Sequence, residues 1–293
     1  MIQDKSWGSR LFDGINIALL ALVGLITVLP FIHVLAGSFT TTAELARKQL
    51  VLIPTEFSLD AYRYIFSTST VIRSIGVSVY ITVVGTVFSM LLTVLMAFGL
   101  SKKTLRGRQT IMFLVVFTML FNGGLIPSFI VVKSLGLIDS YGALIIPSAM
   151  SAFNLIIMRN FFQNLPDGLE ESAKIDGAGY WSILFRIVIP LSMPAIATIS
   201  LFYAVNYWNT YFQAVMYIND AAKWPVQVIL RQIVILAGAL TADTTGWATE
   251  DVLPPAQSIK MAVIVVATVP ILIVYPFLQK HFAKGALLGS IKG

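Results

Sequence analysis

The chain has 293 residues, of which 57% are hydrophobic and 12% charged, and its formal net charge is +6. Soluble domains carry about 25% charged and roughly 45–50% apolar residues, so this composition excludes an ordinary soluble enzyme and also a disordered chain. The sequence contains no cysteine, which excludes disulfides and thiolate metal sites. We therefore expect one all-α membrane domain that covers residues 1–293.

Six stretches without Asp, Glu, Lys or Arg are long enough to cross a bilayer, which needs about 20 apolar residues per helix. Backbone polar groups in lipid must bond within their own segment, and these stretches lack the alternation of barrel strands. The sequence therefore predicts six transmembrane helices. In chain order the predicted spans are roughly 12–36, 74–101, 109–132, 140–160, 190–218 and 258–279.

The basic residues predict that both termini are cytoplasmic. With six spans, the side that holds the termini carries twelve basic and six acidic residues, whereas the opposite side carries eight of each. Cytoplasmic loops concentrate Lys and Arg, so this asymmetry favours cytoplasmic termini. We interpret the short basic loop Lys102–Arg108 as a topology signal. Five spans, with the termini on opposite sides, are the alternative.

The connection between the fourth and fifth spans, residues 163–189, differs from the other loops because it mixes charges of both signs. Pro166-Asp167-Gly168 is a turn or a helix start. The pattern then predicts a short helix over 169–176, a break at Gly177 and a second helical run over 180–189 that enters the next span at Pro190. From the residues alone, this pattern also fits a capped pair of surface helices.

Motifs for catalysis or cofactor binding are absent from the sequence. No GxxxxGK[ST] phosphate loop, HExxH zinc motif or GxSxG nucleophile motif occurs. The six charge-free stretches also lack the Asp, Glu or Lys that ion-coupled transporters usually carry within a span. These absences favour a transport subunit without catalytic residues, metal or cofactor of its own, whose energy comes from another protein.

The run 171–177, Glu-Ser-Ala-Lys-Ile-Asp-Gly, is followed after nine residues by the Ile-Val-Ile-Pro of 187–190. This spaced pattern resembles the EAA loop of ABC importer permeases, with Ser172 and Ile189 in place of the family's Ala and Leu. The stretch 157–162, the pair Trp208-Asn209 and the C-terminal residues 284–293 are similar to the carbohydrate (maltose-type, type I) branch. Within that branch, the chain resembles permeases for complex or acidic oligosaccharides, such as the second permease of an alginate importer.

The resemblance implies a permease subunit of the bacterial inner membrane that translocates an oligosaccharide by alternating access. Implied partners are a homologous second permease, two cytoplasmic ATPase subunits that hold ATP and Mg, and an extracytoplasmic solute-binding protein. It also implies that loop 163–189 docks on the ATPase, and Glu171 is expected to pair with a basic group there. The alternative is an ion-coupled secondary sugar transporter. The residues expected to couple the ATPase are Glu170, Glu171, Ser172, Ala173, Asp176, Gly177, Ala178 and Pro190.

A second set of residues is a candidate substrate path, because amides and phenols can bond sugar hydroxyls and aromatic rings can stack on sugar faces. Spacings of i, i+3, i+4, i+7 and i+8 predict one helical face in the fifth span. Helix–helix packing is the alternative role for these residues. The face consists of Tyr203, Asn206, Tyr207, Thr210 and Tyr211, and weaker candidates are Asn154 in the fourth span and Asn122 in the third.

Overall fold

The computed structural model describes residues 7–67, 69–121, 123–242 and 256–290. Contacts divide the chain into two compact units. The first unit comprises Met1–Ser69 with Leu230–Thr268, and the second comprises Thr70–Ile229 with Val269–Gly293. The described residues form helices and turns, with an isolated antiparallel bridge between Thr40 and Phe57.

The helices are numbered in chain order, and α10 and α11 are joined by a π-helical segment, Leu184–Val188. A single 3₁₀ turn, Ala221–Lys223, precedes α14. The bounds are α1 Trp7–Ser38, α2 Thr42–Arg47, α3 Asp60–Ser67, α4 Ser69–Ser101, α5 Arg108–Leu120, α6 Leu125–Ser134, α7 Gly142–Ile145, α8 Ala152–Gln163, α9 Asp167–Ile175, α10 Tyr180–Ile183, α11 Ile189–Leu191, α12 Met193–Trp208, α13 Phe212–Tyr217, α14 Val226–Ala242 and α15 Ala256–Ser290.

Two helices in the described part of the chain, α1 and α4, are long and apolar enough to cross a membrane by themselves. The pair of α5 and α6, and the pair of the segment Tyr180–Leu191 with α12, pass the same criterion only if each bent pair is counted as one span. Every residue from 11 to 32 in α1 is exposed, so no side of this part of the helix is covered. An apolar helix with this exposure is suited to lipid or to another subunit.

The third predicted span is not one straight helix. Within 109–132 the chain forms α5 and then α6, which lie at 119° to each other. Phe121 is extended, and Gly124 has φ of +90°, a conformation that glycine adopts readily because it has no Cβ. The absence of charge marks this stretch as apolar but does not determine the direction of its backbone.

The fourth and fifth predicted spans are also interrupted. The fourth, 140–160, contains the short helix α7 and the beginning of α8, with Pro147 and the N-cap Ser151 between them. The fifth, 190–218, bends by 82° at Ser192 and breaks again between α12 and α13. Proline lacks the N–H that an internal helical bond requires, which explains the interruptions near Pro147 and between Pro190 and Pro194, whereas no proline lies at the break between α12 and α13.

The first unit contains a buried carboxylate that organises the loop after α1. Glu44, 3% exposed, accepts hydrogen bonds from Lys48 Nζ at 2.8 Å, from the Thr55 hydroxyl at 2.7 Å and from the Glu56 backbone N–H at 2.9 Å. The Thr41 hydroxyl donates to the Glu56 carboxylate at 2.6 Å. Lys48 contributes most to lowering the pKa of Glu44 from 4.5 to about 2, and Thr55 and Glu56 add to the effect.

Acid is expected to loosen this loop. Because the folded pKa of about 2 lies below the ordinary 4.5, the Glu44 network contributes its full stability above pH 4.5 and loses it as the pH falls toward 2. Protection of the Thr55 and Glu56 amides in hydrogen exchange, corrected for intrinsic rates, should stay constant above about pH 4.5 and should fall as the pH is lowered from there toward about 2. The Glu44→Gln variant should lack this pH dependence, and an equal fall in both proteins would contradict the assignment.

In the second unit, a surface carboxylate joins the connection after α6 to the connection after α13. Asp139 accepts hydrogen bonds from the backbone N–H groups of Asp220 at 3.0 Å and Asn219 at 3.1 Å. It also forms an ion pair with Lys223 at 2.9 Å. The Asp220 N–H and the Lys223 ammonium hold the pKa of Asp139 below its usual range. These bonds hold the connection after α6 against the connection after α13.

Candidate functional site

The helix–glycine–helix construction predicted for loop 163–189 is confirmed. After α9, the N–H of Gly177 donates to the Lys174 carbonyl at 3.0 Å and the N–H of Ala178 donates to the Ala173 carbonyl at 2.9 Å. This pair of bonds is the Schellman arrangement, which satisfies the free carbonyls at a helix end and requires a left-handed residue. Gly177 is that residue, with φ of +80°, and open space surrounds the position that its Cβ would occupy. Backbone conformation, rather than crowding, therefore explains the glycine.

The inner side of α9 is attached to the rest of the second unit. Ala173 and Ala178, the two residues bonded across the turn, are partly buried against the hydrophobic core. Glu170 is 23% exposed and forms an ion pair with Lys102, which follows α4 directly. The interpretation of the basic loop Lys102–Arg108 as a topology signal is therefore incomplete, because Lys102 also makes this specific contact.

The outer side of α9 carries the exposed coupling candidates Glu171, Ser172 and Asp176. No ion pair of Glu171 or Asp176 occurs within the described part of the chain. Glu170 and Glu171 thus differ in their surroundings, since the first is held by its own subunit and the second is presented to solvent. Only the second is free to meet a cationic group of another protein.

An exposed apolar cluster adjoins these acidic residues, and the sequence motif did not reveal it. Ile175 is 87% exposed at the C-terminal end of α9, and the rings of Tyr180, Trp181 and Phe185 are more than half exposed. The Trp181 and Phe185 rings stack with centroids 6.1 Å apart. Grouped exposed apolar residues typically mark an interaction surface. We call Glu171, Ser172, Ile175, Asp176, Tyr180, Trp181 and Phe185 together the docking face.

The second helical run leads from the docking face into α12 through irregular backbone. It passes from α10 through the π-helical segment and α11, where Pro190 is exposed, and then bends by 82°. At the bend the Ser192 N–H donates to the Val188 carbonyl at 3.0 Å, whereas its buried hydroxyl has no hydrogen-bond partner among the described residues. Single π-helical turns within α-helices are frequent at functional sites.

Two of the candidate substrate-path residues, Tyr203 and Tyr207, are buried between helices. The Tyr203 hydroxyl lies 2.8 Å from the Thr93 hydroxyl on α4 and accepts a hydrogen bond from the Ser151 N–H at 3.0 Å, at the N-cap of α8. Tyr203 therefore joins α12 to α4 and to the beginning of α8. Its exposed fraction of 2% leaves no surface for a ligand in this conformation.

Tyr207 makes an equivalent set of contacts one turn further along α12. Its hydroxyl donates to the Ile145 carbonyl at 3.1 Å and lies 2.8 Å from the Ser89 hydroxyl. Its ring packs on Gly85 of α4 so closely that a Cβ at that position would lie 2.8 Å from two ring atoms. For both tyrosines the geometry favours the packing role that the sequence left open.

The other candidates in the fifth span do not continue this face. The prediction of one helical face over all five residues is wrong, because α12 ends at Trp208 and Thr210 and Tyr211 lie in the break before α13. Asn206 is exposed, Tyr211 is partly exposed and Thr210 is buried. In α8, Asn154 is 5% exposed. Asn122 lies outside the described residues.

Comparison with known proteins supports the interpretation of the loop as part of a transport protein. Residues 2–287 match the family described as "Binding-protein-dependent transport system inner membrane component". The chain is 64% identical over 285 residues to the polygalacturonan/rhamnogalacturonan transport system permease protein YtcP of Bacillus subtilis (strain 168), covering 97% of this chain and 99% of that protein.

Solved structures give the same result. The fold is similar, with a TM-score of 0.86 and 34% identity, to a chain in the crystal structure of a bacterial ABC transporter involved in the import of the acidic polysaccharide alginate, covering 95% of this chain and 99% of that chain. A chain of the bacterial alginate ABC transporter in complex with an alginate pentasaccharide-bound periplasmic protein matches at a TM-score of 0.58 and 17% identity, covering 94% and 96%. This second likeness shows the fold alone.

Proposed function

The chain belongs to the family of binding-protein-dependent transport system inner membrane components, and from that membership we propose that it is a permease subunit of an ABC importer for acidic oligosaccharides. The single observation that carries the substrate class is the 64% identity to the Bacillus subtilis permease, whose name gives polygalacturonan and rhamnogalacturonan, and a polygalacturonan is a chain of galacturonate units. The alginate transporter, which resembles this chain in fold and sequence, also imports a polyuronate.

The proposed complex contains a homologous second permease, two ATPase subunits and a solute-binding protein. The chain itself supplies no ATP site, and ATP and Mg would be held by the ATPase subunits. Support for an external energy source comes from the six stretches without Asp, Glu, Lys or Arg. An intrinsic ion-coupled mechanism would require a charged group within such a stretch.

We propose six membrane crossings with both termini in the cytoplasm. The distribution of Lys and Arg supports this topology, because the positive excess lies in the terminal segments and in the loops on their side. The bent helices need not exclude crossings, since irregular backbone is tolerated at membrane depth where it is buried in protein or lines a cavity. In this topology loop 163–189 faces the cytoplasm.

The docking face is proposed to bind the ATPase. The exposed isoleucine and the three exposed aromatic residues of this loop can fill an apolar groove, and the carboxylate of Glu171 can pair with a basic group at the rim of that groove. Movement of the ATPase subunits would then pass from α9 through the π-helical segment into α12. For the substrate path, Asn206 and Tyr211 are the candidates with surface available to a sugar.

Transport by the reconstituted complex tests this function. Proteoliposomes that hold this chain with its partner subunits and binding protein should take up labelled galacturonate oligosaccharides when ATP is present at the ATPase side. Neutral maltodextrins of equal length are the matched control and should not be taken up. Uptake that does not depend on ATP and is abolished by a proton ionophore would instead establish a secondary transporter. A preference for the neutral sugar would contradict the proposed substrate class.

A further inference from the structure

The last two residues of α4 and the residue that follows them contact the segment from α8 to α9, which leads into the docking face. The carbonyl of Leu100 lies 3.4 Å from Arg159 Nε, and the carbonyl of Ser101 accepts a hydrogen bond from Gln163 Nε2 at 3.2 Å. The next residue, Lys102, forms the ion pair with Glu170. We call these six residues, Leu100, Ser101, Lys102, Arg159, Gln163 and Glu170, the α4 anchor.

The α4 anchor satisfies groups that a helix end leaves open. The last carbonyls of a helix have no partner within the helix, and cations near them interact favourably with the helix dipole. Arg159 and Gln163 donate to two of these carbonyls, and Lys102 adds a positive charge beyond them. The segment from α8 to α9 therefore completes the end of α4.

The ion pair in the α4 anchor is shielded from solvent more than an ordinary surface pair. The Lys102 side chain is 15% exposed and that of Glu170 is 23% exposed. The Lys102 ammonium also lies 4.0 Å from the centroid of the Phe98 ring, one turn earlier on α4. Partly buried charges are screened little by salt, so we expect this contact to hold its geometry better than an exposed salt bridge does.

Further along its length, α4 is bonded to α12 through Ser89 with Tyr207 and Thr93 with Tyr203. The C-terminal end of α4 is thus attached to the loop that carries the docking face. The middle of α4 is attached to α12, the helix into which this loop leads. A movement of α9 reaches α12 through the chain itself. The α4 anchor supplies a second, non-covalent route from α9 to α4.

We propose that Lys102 is a positioning residue for energy coupling, which makes α4 follow α9 when the ATPase subunits move. The inference rests on the proposed function, since it assigns Lys102 a part in transmitting ATP-driven motion to the membrane helices. The Lys102–Glu170 pair stays closed throughout the transport cycle. A loss of the pair separates ATP hydrolysis from transport without removing the docking face.

Charge variants test this proposal in the complete reconstituted complex. In Lys102→Glu and in Glu170→Lys, the ratio of sugar transported to ATP hydrolysed should fall by roughly tenfold. A change of this size lies within the range that coupling between two sites typically produces. The exchanged variant Lys102→Glu/Glu170→Lys restores an attractive pair and should recover most of that ratio. Arg106→Glu, a charge reversal at an exposed basic position of the same loop, is the matched control and should keep the wild-type ratio.

A chemical tether gives an independent readout, because the natural chain has no cysteine. Lys102→Cys/Glu170→Cys should be poorly coupled. A short bis-methanethiosulfonate cross-linker forms one disulfide with each cysteine and releases methanesulfinate, so it should restore coupling until a reductant cleaves these disulfides. Neither single-cysteine variant should respond in this way. If the wild-type complex transports the sugar but the tether blocks transport, the pair must open during the cycle and the inference fails. Unchanged coupling in both charge variants would also overturn it, whereas absence of ATP-dependent transport by the wild type would overturn the proposed function.

Discussion

Replacement of Ile175 by aspartate is expected to detach the ATPase subunits from the permease. The Ile175 side chain is 87% exposed at the end of α9, within the docking face. Burying an isoleucine contributes about 1.5–3 kcal/mol, and burying an unpaired carboxylate in its place adds a desolvation cost. We therefore expect the affinity for the ATPase to fall by at least about tenfold. Co-purification of the ATPase with the permease in detergent would measure the loss.

A matched control separates docking from a general effect of surface charge. Ile53 is 80% exposed in the first unit, and Ile53→Asp makes the same chemical change outside the docking face. This variant should retain the ATPase at the wild-type level. Glu171→Lys should reproduce the loss seen with Ile175→Asp, because it reverses the charge offered to the partner. If Ile175→Asp and Ile53→Asp retain equal amounts of ATPase, the docking face is assigned incorrectly.

The second large effect is expected from a single methyl group at Gly85. A Cβ at this position would lie 2.8 Å from two ring atoms of Tyr207, whose hydroxyl is fixed by Ser89 and the Ile145 carbonyl. The ring cannot move without breaking these bonds, so Gly85→Ala should lower stability by about 1–3 kcal/mol, the usual cost of overpacking. Thermal unfolding of the detergent-solubilised complex would report the change.

The chain provides two controls for the Gly85 prediction. Gly76 lies on the same helix, and nothing occupies the space within 4 Å of its Cβ position. Gly76→Ala should be neutral or slightly stabilising, since alanine is favoured over glycine in helices by about 1 kcal/mol. In the Tyr207→Ala background the cost of Gly85→Ala should disappear. Equal destabilisation by both glycine substitutions, or an undiminished cost without the ring, would contradict the packing argument.

The sequence predicted the local structure of the coupling loop well, because the features involved are local. A turn at Gly177 between two helical runs follows from the conformational freedom of glycine, and the structure shows the predicted break. The surroundings of Glu170 and Glu171 could not be predicted in the same way. Adjacent glutamates look alike in sequence, and only the position of Lys102 after α4 distinguishes them.

Other features escaped prediction for different physical reasons. A charge-free stretch indicates an apolar environment, but the break near Gly124 depends on how the backbone is packed. The spacing of Tyr203 and Tyr207 fits both a sugar-binding face and a packed interface, and their partners on α4 lie more than 100 residues away in the chain. Ile175 and Trp181 resemble any apolar residues until their exposure is known.

Loop 163–189 is proposed to lie in the cytoplasm and to be covered by the ATPase. Ser172→Cys tests this placement most directly, because Ser172 is exposed on the docking face and the chain contains no other cysteine. A membrane-impermeant maleimide should label this variant in inside-out vesicles stripped of ATPase, should fail to label it in intact cells, and should be excluded once the ATPase is added back. Labelling from outside intact cells, or labelling that bound ATPase does not reduce, would contradict the account.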